Sequence, residues 1–173
     1  MRKDRTRRAL AVLGSIVFFF AAPGTVVALV PWWITRWRIH APFPGSSVLR
    51  FVGAILVISG ILVLVDSFAR FALQGLGTPA PVSPPRRLVA TGLYRYVRNP
   101  MYLAVVSTIV GQALLFGSLE LLAYAALVGV IVHQFVVVYE ESKLRATFGD
   151  EYEAFCATVP RWLPRLRPRR RQA

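Results

Sequence analysis

The chain has 173 residues, of which 55% are hydrophobic and 17% charged, and its formal net charge is +13. The length suits a single domain, but a soluble domain of this size has no interior that could bury apolar runs as long as those found here. The composition therefore excludes an ordinary soluble domain and predicts an integral membrane protein.

Three apolar runs define the predicted spans. Ala9–Val30 and Val48–Val65 are each long enough to cross a hydrocarbon core of roughly 30 Å at about 1.5 Å per residue. The third run, Met101–Tyr139, carries one carboxylate, Glu120, within the turn signal "FGSLE", so it is interpreted as two spans in a tight hairpin. The sequence thus predicts an all-α integral membrane bundle of about four transmembrane helices.

The first two helices are predicted over Ala9–Ile34 and Ser47–Leu73, with a kink at Pro23-Gly24. An aromatic belt is expected at the outer end of the first helix. The belt residues are Trp32, Trp33 and Trp37. We interpret the first helix as a retained signal anchor, because its apolar stretch is longer than that of a cleaved signal peptide.

The third helix should begin at Pro100, since proline suits the first helical turn. The fourth covers Leu119–Tyr139 and continues into "EESKLRATFGDEYEAFCATV". Apolar residues three or four apart in that stretch predict a cytoplasmic amphipathic helix at the membrane interface. We divide the chain into an N-terminal helix pair, 1–74, and a second part, 75–173, that contains a Pro-rich connector, the helical hairpin and the tail.

Basic residues are distributed unevenly over the predicted loops. Eighteen Lys/Arg lie on the side of the two termini and the connector, and three on the other side. This positive-inside pattern places both termini in the cytoplasm, and the expected location is a bacterial inner membrane. We attribute the tail "RLRPRRR" to topology and expect no nucleic-acid partner; binding of nucleic acid or lipid headgroups is the alternative. A single cysteine, Cys156, excludes an internal disulfide and a cysteine-built metal site, and no metal is expected.

The stretch "GLYRYVRNPMYLA" concentrates polar and aromatic groups at the mouth of the third helix. Arg98 can hold a carboxylate or a phosphate through bidentate hydrogen bonds. Three tyrosines offer rings for stacking and hydroxyls for hydrogen bonds. They are Tyr94, Tyr96 and Tyr102.

A second polar group lies at the foot of the fourth helix, in "HQFVVVYEE". His133 and Glu140 are seven residues apart and would share one face of an α-helix. Glu140 and Glu141 are costly at the end of an apolar helix unless paired or hydrated. A purely structural alternative is that they mark the membrane exit and pair with Lys143 or Arg145.

The predicted topology brings both polar groups to the cytoplasmic membrane surface. Carboxylates there can accept hydrogen bonds from an ammonium or from ribose hydroxyls, and Arg98 can bind an anion. A ligand with a purine, a ribose, an ammonium and a carboxylate would use all of these groups. S-adenosylmethionine is such a ligand, and a phosphorylated nucleotide is the alternative.

The two motifs "RRLVATGLYRYVRNPMYLA" and "EESKLRATFGDEYEAFCATVPRWLPR" resemble the isoprenylcysteine carboxyl methyltransferase and phospholipid methyltransferase superfamily. The resemblance covers about Gly77 to Arg161. It implies a methyltransferase whose S-adenosylmethionine pocket lies at the cytoplasmic face, with a lipophilic substrate entering from the bilayer. It leaves the oligomeric state open.

The resemblance also implies site residues. Leu88 and Val89 would line the adenine, while Gly92 and Tyr94 would shape the loop over the cofactor. The family's R-H-P-x-Y and its cofactor-binding glutamate fall on the remaining residues. These are Arg98, Asn99, Pro100, Tyr102 and Glu140, with Glu141 adjacent.

Three positions depart from the family pattern. Asn99 replaces a histidine, Arg86 stands where prenylcysteine enzymes often have histidine, and Val136 stands where those enzymes carry an arginine for the substrate carboxylate. These departures argue against carboxyl methylation of a prenylcysteine but not against methyl transfer, and they leave a lipid amine, a prenyl-type carboxylate and a small hydrophobic thiol open as substrates. His133 is the candidate base, and Arg98 and Glu140 complete the predicted catalytic set. An NADPH-dependent sterol-type reductase and a non-catalytic membrane scaffold are the alternative functions.

Overall fold

The computed structural model describes residues 13–14, 16–39, 46–75 and 88–166. Regular structure in these ranges is helical, without strands, which confirms the predicted all-α class. The predicted helix start at residues 9–12, the Pro-rich connector at 76–87 with Arg86, and the basic tail from 167 lie outside the described residues.

The helices follow the predicted order. They are α1 (Ile16–Thr35), α2 (Ser46–Arg70), α3 (Pro100–Phe116), α4 (Leu119–Gln134), α5 (Glu141–Phe148) and α6 (Asp150–Thr158). The described residues also contain three π-helical segments: Thr25–Leu29 within α1, Phe71–Gly75 after α2, and Phe135–Glu140 between α4 and α5. The predicted kink at Pro23-Gly24 takes the form of a turn at Ala22 followed by the first π segment.

Three of the described helical segments are long and apolar enough to cross a membrane: Ile16–Thr35, Ser47–Leu73 and Leu119–Phe148. Helix α3 is a shorter apolar helix of 17 residues, at the lower end of the length of about 17–25 residues that a span needs. The prediction of a membrane protein with about four apolar helices is confirmed.

The chain divides into two compact units, each assembled from separate stretches. We name the first the motif unit; it comprises Met1–Ser15, Ser67–Pro100 and His133–Ala173. The second, which we name the span unit, comprises Ile16–Asp66 and Met101–Val132. The division of the chain at residue 74 stays a prediction.

Within the span unit, α2 and α3 approach so closely that their backbones touch. A Cβ on Gly53 would lie 2.6 Å from the carbonyl oxygen of Gly111, and one on Gly111 would lie 2.7 Å from that of Gly53. Two turns further along α2, Gly60 faces Ala104 and the hydroxyl of Thr108. Small residues permit such contact between membrane helices, where packing replaces the hydrophobic effect as the driving force.

Side chains also anchor the π segment of α1 within the span unit. The amide of Gln112 on α3 donates to the carbonyl oxygen of Val27 at 2.7 Å, and the hydroxyl of Tyr124 on α4 donates to that of Val26 at 3.1 Å. Irregular backbone is tolerated at membrane depth when such partners satisfy it. The two hydrogen bonds therefore hold α1 against α3 and α4.

The predicted amphipathic helix consists of two helices in the motif unit. Gly149 separates α5 from α6 and has φ +49°, a conformation that glycine adopts at little cost. The apolar face is buried against protein: Tyr152, Phe155 and Val159 form a core onto which other apolar side chains pack. Those side chains are Leu88, Ala90, Leu144, Phe148 and Cys156. The stripe that was expected at the membrane interface thus covers the start of the first motif.

Replacing Gly111 by alanine should destabilise the protein. The added Cβ meets backbone atoms of α2 that have little room to move, and overpacking of this kind costs about 1–3 kcal/mol. Gly129→Ala on α4 is the matched control, because a Cβ there meets nothing within 4 Å and alanine has the higher helix propensity. Thermal unfolding in detergent should give a lower Tm for Gly111→Ala alone. Equal midpoints for the two variants would contradict this account of the α2–α3 contact.

Candidate functional site

The loop that opens the first motif is held by the end of α2. Gly92 has φ +58°, and its missing side chain leaves room for the guanidinium of Arg70. Arg70 also donates to the Thr91 hydroxyl at 3.2 Å. Within the short 3-10 turn Gly92–Arg95, Tyr94 is buried and packs edge-on against the ring of Phe71, with centroids 5.8 Å apart. A bulkier residue at position 92 would displace Arg70 as well as strain the backbone.

The C-terminal segment after α6 lies along this loop. The backbone N–H of Arg98 donates to the carbonyl of Pro160 at 2.9 Å, and that of Arg165 donates to the carbonyl of Tyr96 at 3.0 Å. The buried Asn99 side chain donates to the carbonyl of Arg161 at 3.2 Å. The two motifs are therefore joined by hydrogen bonds between residues that lie 62 to 69 positions apart in the sequence.

A buried ion cluster centres on Glu141, the first residue of α5. Glu141 is 2% exposed. Its carboxylate accepts two hydrogen bonds from Arg161, at 2.6 Å from Nε and 3.0 Å from Nη2. Arg98 approaches at 3.2 Å and Arg145 at 3.6 Å. A carboxylate this buried is stable only when paired, so the cluster ties the first motif, α5 and the C-terminal segment together. The structural alternative drawn from the sequence is that the two glutamates only pair with Lys143 or Arg145. Arg145 is one of the three arginines that approach Glu141.

One hydrogen-bond donor of Arg98, its Nε, is not used within this cluster. Its Nη1 contacts Glu141 and also lies 2.8 Å from the Sγ of Cys156. Its Nε is buried and has no hydrogen-bond partner among the described residues. A buried donor without a partner is costly, and an incoming acceptor would satisfy it.

The π segment Phe135–Glu140 alters the geometry expected at the foot of the fourth helix. The backbone N–H of Glu141 donates to the carbonyl of Val136, five residues earlier. The inference that His133 and Glu140 share a face assumed α-helical turns and is wrong for this backbone, because wider turns rotate the later residue away. Glu140 is half-buried at the end of the segment, and Val136 is fully buried.

His133 is exposed and has a partner from the C-terminal segment. The indole N–H of Trp162 donates to its Nδ1 at 3.1 Å, and the two rings lie 5.9 Å apart. A neutral imidazole that accepts at Nδ1 carries its proton on Nε2. His133 can therefore take up a proton at Nδ1 only after Trp162 releases it.

The predicted site residues differ in their surroundings. Arg98, Asn99 and Glu141 come together through Arg161, and Leu88 packs on the core of α6. Val89 is buried, and Pro100 is buried at the start of α3. Tyr102 belongs to the span unit rather than to the motif unit that contains the other predicted site residues.

Sequence reasoning did not single out Arg161 or Trp162 as site residues. Both follow α6 in "VPRW", and the conspicuous signal was an arginine directly after a Val-Pro break, two residues beyond an amphipathic helix. Arg161 is the closest partner of Glu141, and this hydrogen bond raises the pKa of the Arg161 guanidinium. The role of Arg161 depends on a contact twenty residues away in sequence, which no local pattern specifies.

These observations define a class: a helical membrane protein in which a polar loop and the foot of a long apolar helix are joined by a buried arginine–carboxylate cluster. The model of the phospholipid methyltransferase family matches residues 48–151, and the chain belongs to that family, one of membrane methyltransferases. The matched region includes the loop, Glu140 and Glu141, but neither α1 nor the "VPRW" segment. No curated protein and no solved structure shows significant similarity to the chain.

Glu141→Gln should lower the free energy of unfolding by about 3 kcal/mol, near the lower end of the cost of breaking a buried ion pair because two of the arginines remain partly hydrated. Glu140→Gln, the neighbouring half-buried carboxylate, serves as the matched control and should cost less. Chemical or thermal unfolding in detergent measures both. Equal losses would show that Glu141 is not the centre of the cluster.

Tyr152 should make the protein sensitive to alkali. Burial raises the pKa of its hydroxyl above the ordinary value, and the nearby Cys156 adds to the shift. The pKa of the Tyr152 hydroxyl is higher in the folded chain than in the unfolded chain, so its contribution to the free energy of unfolding is complete below about pH 10. As the pH rises further, this contribution is lost by up to ~1.4 kcal/mol per pH unit. Unfolding free energies at about pH 9 and about pH 11 should differ less for Tyr152→Phe than for the unsubstituted chain. Parallel losses in the two proteins would contradict the assignment.

Proposed function

We propose that the protein is an S-adenosylmethionine-dependent methyltransferase that acts on a lipophilic substrate at the membrane. The observation that carries the proposal is the junction at Glu141, where the polar loop of the first motif, through Arg98, meets the "VPRW" segment, through Arg161. Membership of the phospholipid methyltransferase family supports the reaction class.

The donors and acceptors of the motif unit suit this cofactor. The buried Nε of Arg98 can donate to a carboxylate, and Glu140 can accept from an ammonium or from ribose hydroxyls. Leu88 is partly exposed and can offer apolar surface to a purine, whereas Val89 is buried and the space beside Gly92 holds the Arg70 guanidinium. Glu141 serves in this proposal as the anchor that holds Arg98 in place, and its own oxygens are occupied by arginines.

S-adenosylmethionine held by these residues would supply a methyl group on a positively charged sulfur, suited to in-line displacement by a nucleophile. The chain's task is then to align the nucleophile and to exclude water. The apolar core around Tyr152 and Phe155 contributes the dry surroundings, and the hydrogen bonds from Asn99 and Arg98 to the C-terminal segment keep the loop in position.

His133 is the proposed base for a nucleophile that has to lose a proton. Its Nδ1 is occupied by the Trp162 N–H, so proton uptake requires this contact to open when substrate binds. Val136 supports the choice of nucleophile: it is 1% exposed and carries no charge that could hold a substrate carboxylate. An amine or thiol therefore fits the site better than a carboxylate.

Binding calorimetry on the detergent-purified chain tests the proposal with S-adenosylmethionine, S-adenosylhomocysteine and NADPH. Glu140→Ala should weaken binding of the adenosyl ligands by about tenfold or more, the loss expected for a hydrogen bond to a charged group. Glu151→Ala is the matched control, because Glu151 is an exposed carboxylate on α6 and should leave the affinity unchanged.

Other results would contradict the assignment. Binding of NADPH alone would indicate a reductase, and a folded sample that binds none of the three ligands would indicate a scaffold. Equal effects of the two glutamate substitutions would remove Glu140 from the cofactor site.

A further inference from the structure

Helix α1 carries an apolar groove on its outer face, entirely within the span unit. The groove has a volume of about 450 Å³, within the range of roughly 300–1,000 Å³ typical of small-molecule sites. Gly24 and Ala28 form its floor. Larger apolar side chains form its walls: Phe20, Leu29, Trp32 and Trp37.

The groove faces away from the packing contacts of α1. The hydrogen bonds from Gln112 and Tyr124 reach the carbonyls of Val27 and Val26, and Pro31 and Thr35 are buried. By contrast, the Phe20 side chain is 70% exposed. The π segment Thr25–Leu29 runs through the middle of the groove, and π segments within helices are frequent at functional sites.

The end of the groove is built by an unusual turn. Arg36 and Trp37 have φ +49° and +53°, a conformation that costs energy for residues other than glycine. The buried hydroxyl of Thr35 donates to the Pro31 carbonyl at 2.9 Å and accepts from the Trp37 N–H at 3.1 Å. These hydrogen bonds hold the turn, which folds the Trp37 indole back as the end wall.

Positive charge lies at this end of the groove. The Arg36 guanidinium sits over the Trp32 ring, 4.5 Å from its centroid, and Arg38 follows two residues later and is exposed. The sequence contains no Asp or Glu between Asp4 and Asp66, so this stretch supplies no carboxylate to neutralise either arginine. An apolar trough that ends at two cations is complementary to a molecule with an acyl chain and an anionic head.

We propose that this groove binds one anionic phospholipid of the bilayer, with an acyl chain along Gly24 and Ala28 and the phosphate at Arg36 and Arg38. The three tryptophans at this end of α1 suit the membrane–water interface, where such a headgroup lies. The site is independent of the proposed methyl transfer, and α1 lies outside the region that matches the family model.

Native mass spectrometry of the delipidated full chain, with phosphatidylglycerol or phosphatidylcholine of identical acyl chains, tests the site. The first phosphatidylglycerol should bind about tenfold more tightly than phosphatidylcholine. Replacing both arginines, Arg36→Gln with Arg38→Gln, should remove the difference without affecting phosphatidylcholine.

Filling the groove provides the second arm. A Cβ on Gly24 meets its neighbours only at ordinary contact distances of 3.5 Å or more, so Gly24→Leu should fold and should weaken phosphatidylglycerol binding about tenfold through loss of acyl-chain contact. Gly129→Leu is the matched control on α4, since nothing lies within 4 Å of that position. Trp37→Ala, which removes the end wall, gives an independent variant.

Equal affinity for the two lipids, or unchanged phosphatidylglycerol binding by both Gly24→Leu and Trp37→Ala, would overturn the proposal. A dimer that Gly24→Leu dissociates while lipid binding stays unchanged would also overturn it. That result would assign the face to a contact between two copies of the chain, through the close approach that Gly24 and Ala28 permit.

Discussion

Glu141 lies at the end of a long apolar helix with almost no access to water, and a carboxylate in that position has to be surrounded by cations. Arg98, Arg145 and Arg161 meet this requirement from three different segments. This requirement explains how the motif unit is arranged. The polar loop and the C-terminal segment can pair with the Glu141 carboxylate only when both lie against the start of α5. The proposed cofactor-binding role is assigned to the neighbouring half-buried Glu140, because the oxygens of Glu141 are occupied by arginines.

The span unit depends on a different constraint, the close contact of helices that gain little from hydrophobic burial in a membrane. Glycines at positions 53 and 111 bring the backbones of α2 and α3 together. The irregular backbone of α1 is held by donors from α3 and α4. Helix α1 is thereby fixed along one side and leaves its groove open on the other, so the same contacts that stabilise the unit also create the proposed lipid site.

Family membership defines the reaction class. The choice of substrate and of catalytic base depends on details of the site. A buried valine at position 136 provides no charge for a substrate carboxylate, and the Trp162 indole occupies the nitrogen of His133 that a base would use. In the proposed mechanism, these features favour an amine or thiol nucleophile over a carboxylate, and His133 acts as its base only after Trp162 is displaced. The C-terminal segment would then take part in the chemistry as well as in the packing of the loop.

Much of the architecture was determined by the sequence alone. Apolar runs, Pro100 and the turn signal "FGSLE" predicted the apolar helices and their order, because helix length and turn chemistry are local properties. The two motifs predicted the family, because a motif is a run of residue types that can be read directly from the sequence. Tertiary structure decided which glutamate is buried, that Arg161 is its main partner, and that the stripe of α5 and α6 packs on protein. It also decided that Phe135–Glu140 is π-helical, which overturned the shared face of His133 and Glu140. These outcomes depend on which distant groups compete for one carboxylate or one carbonyl, and neither periodicity nor composition contains that information.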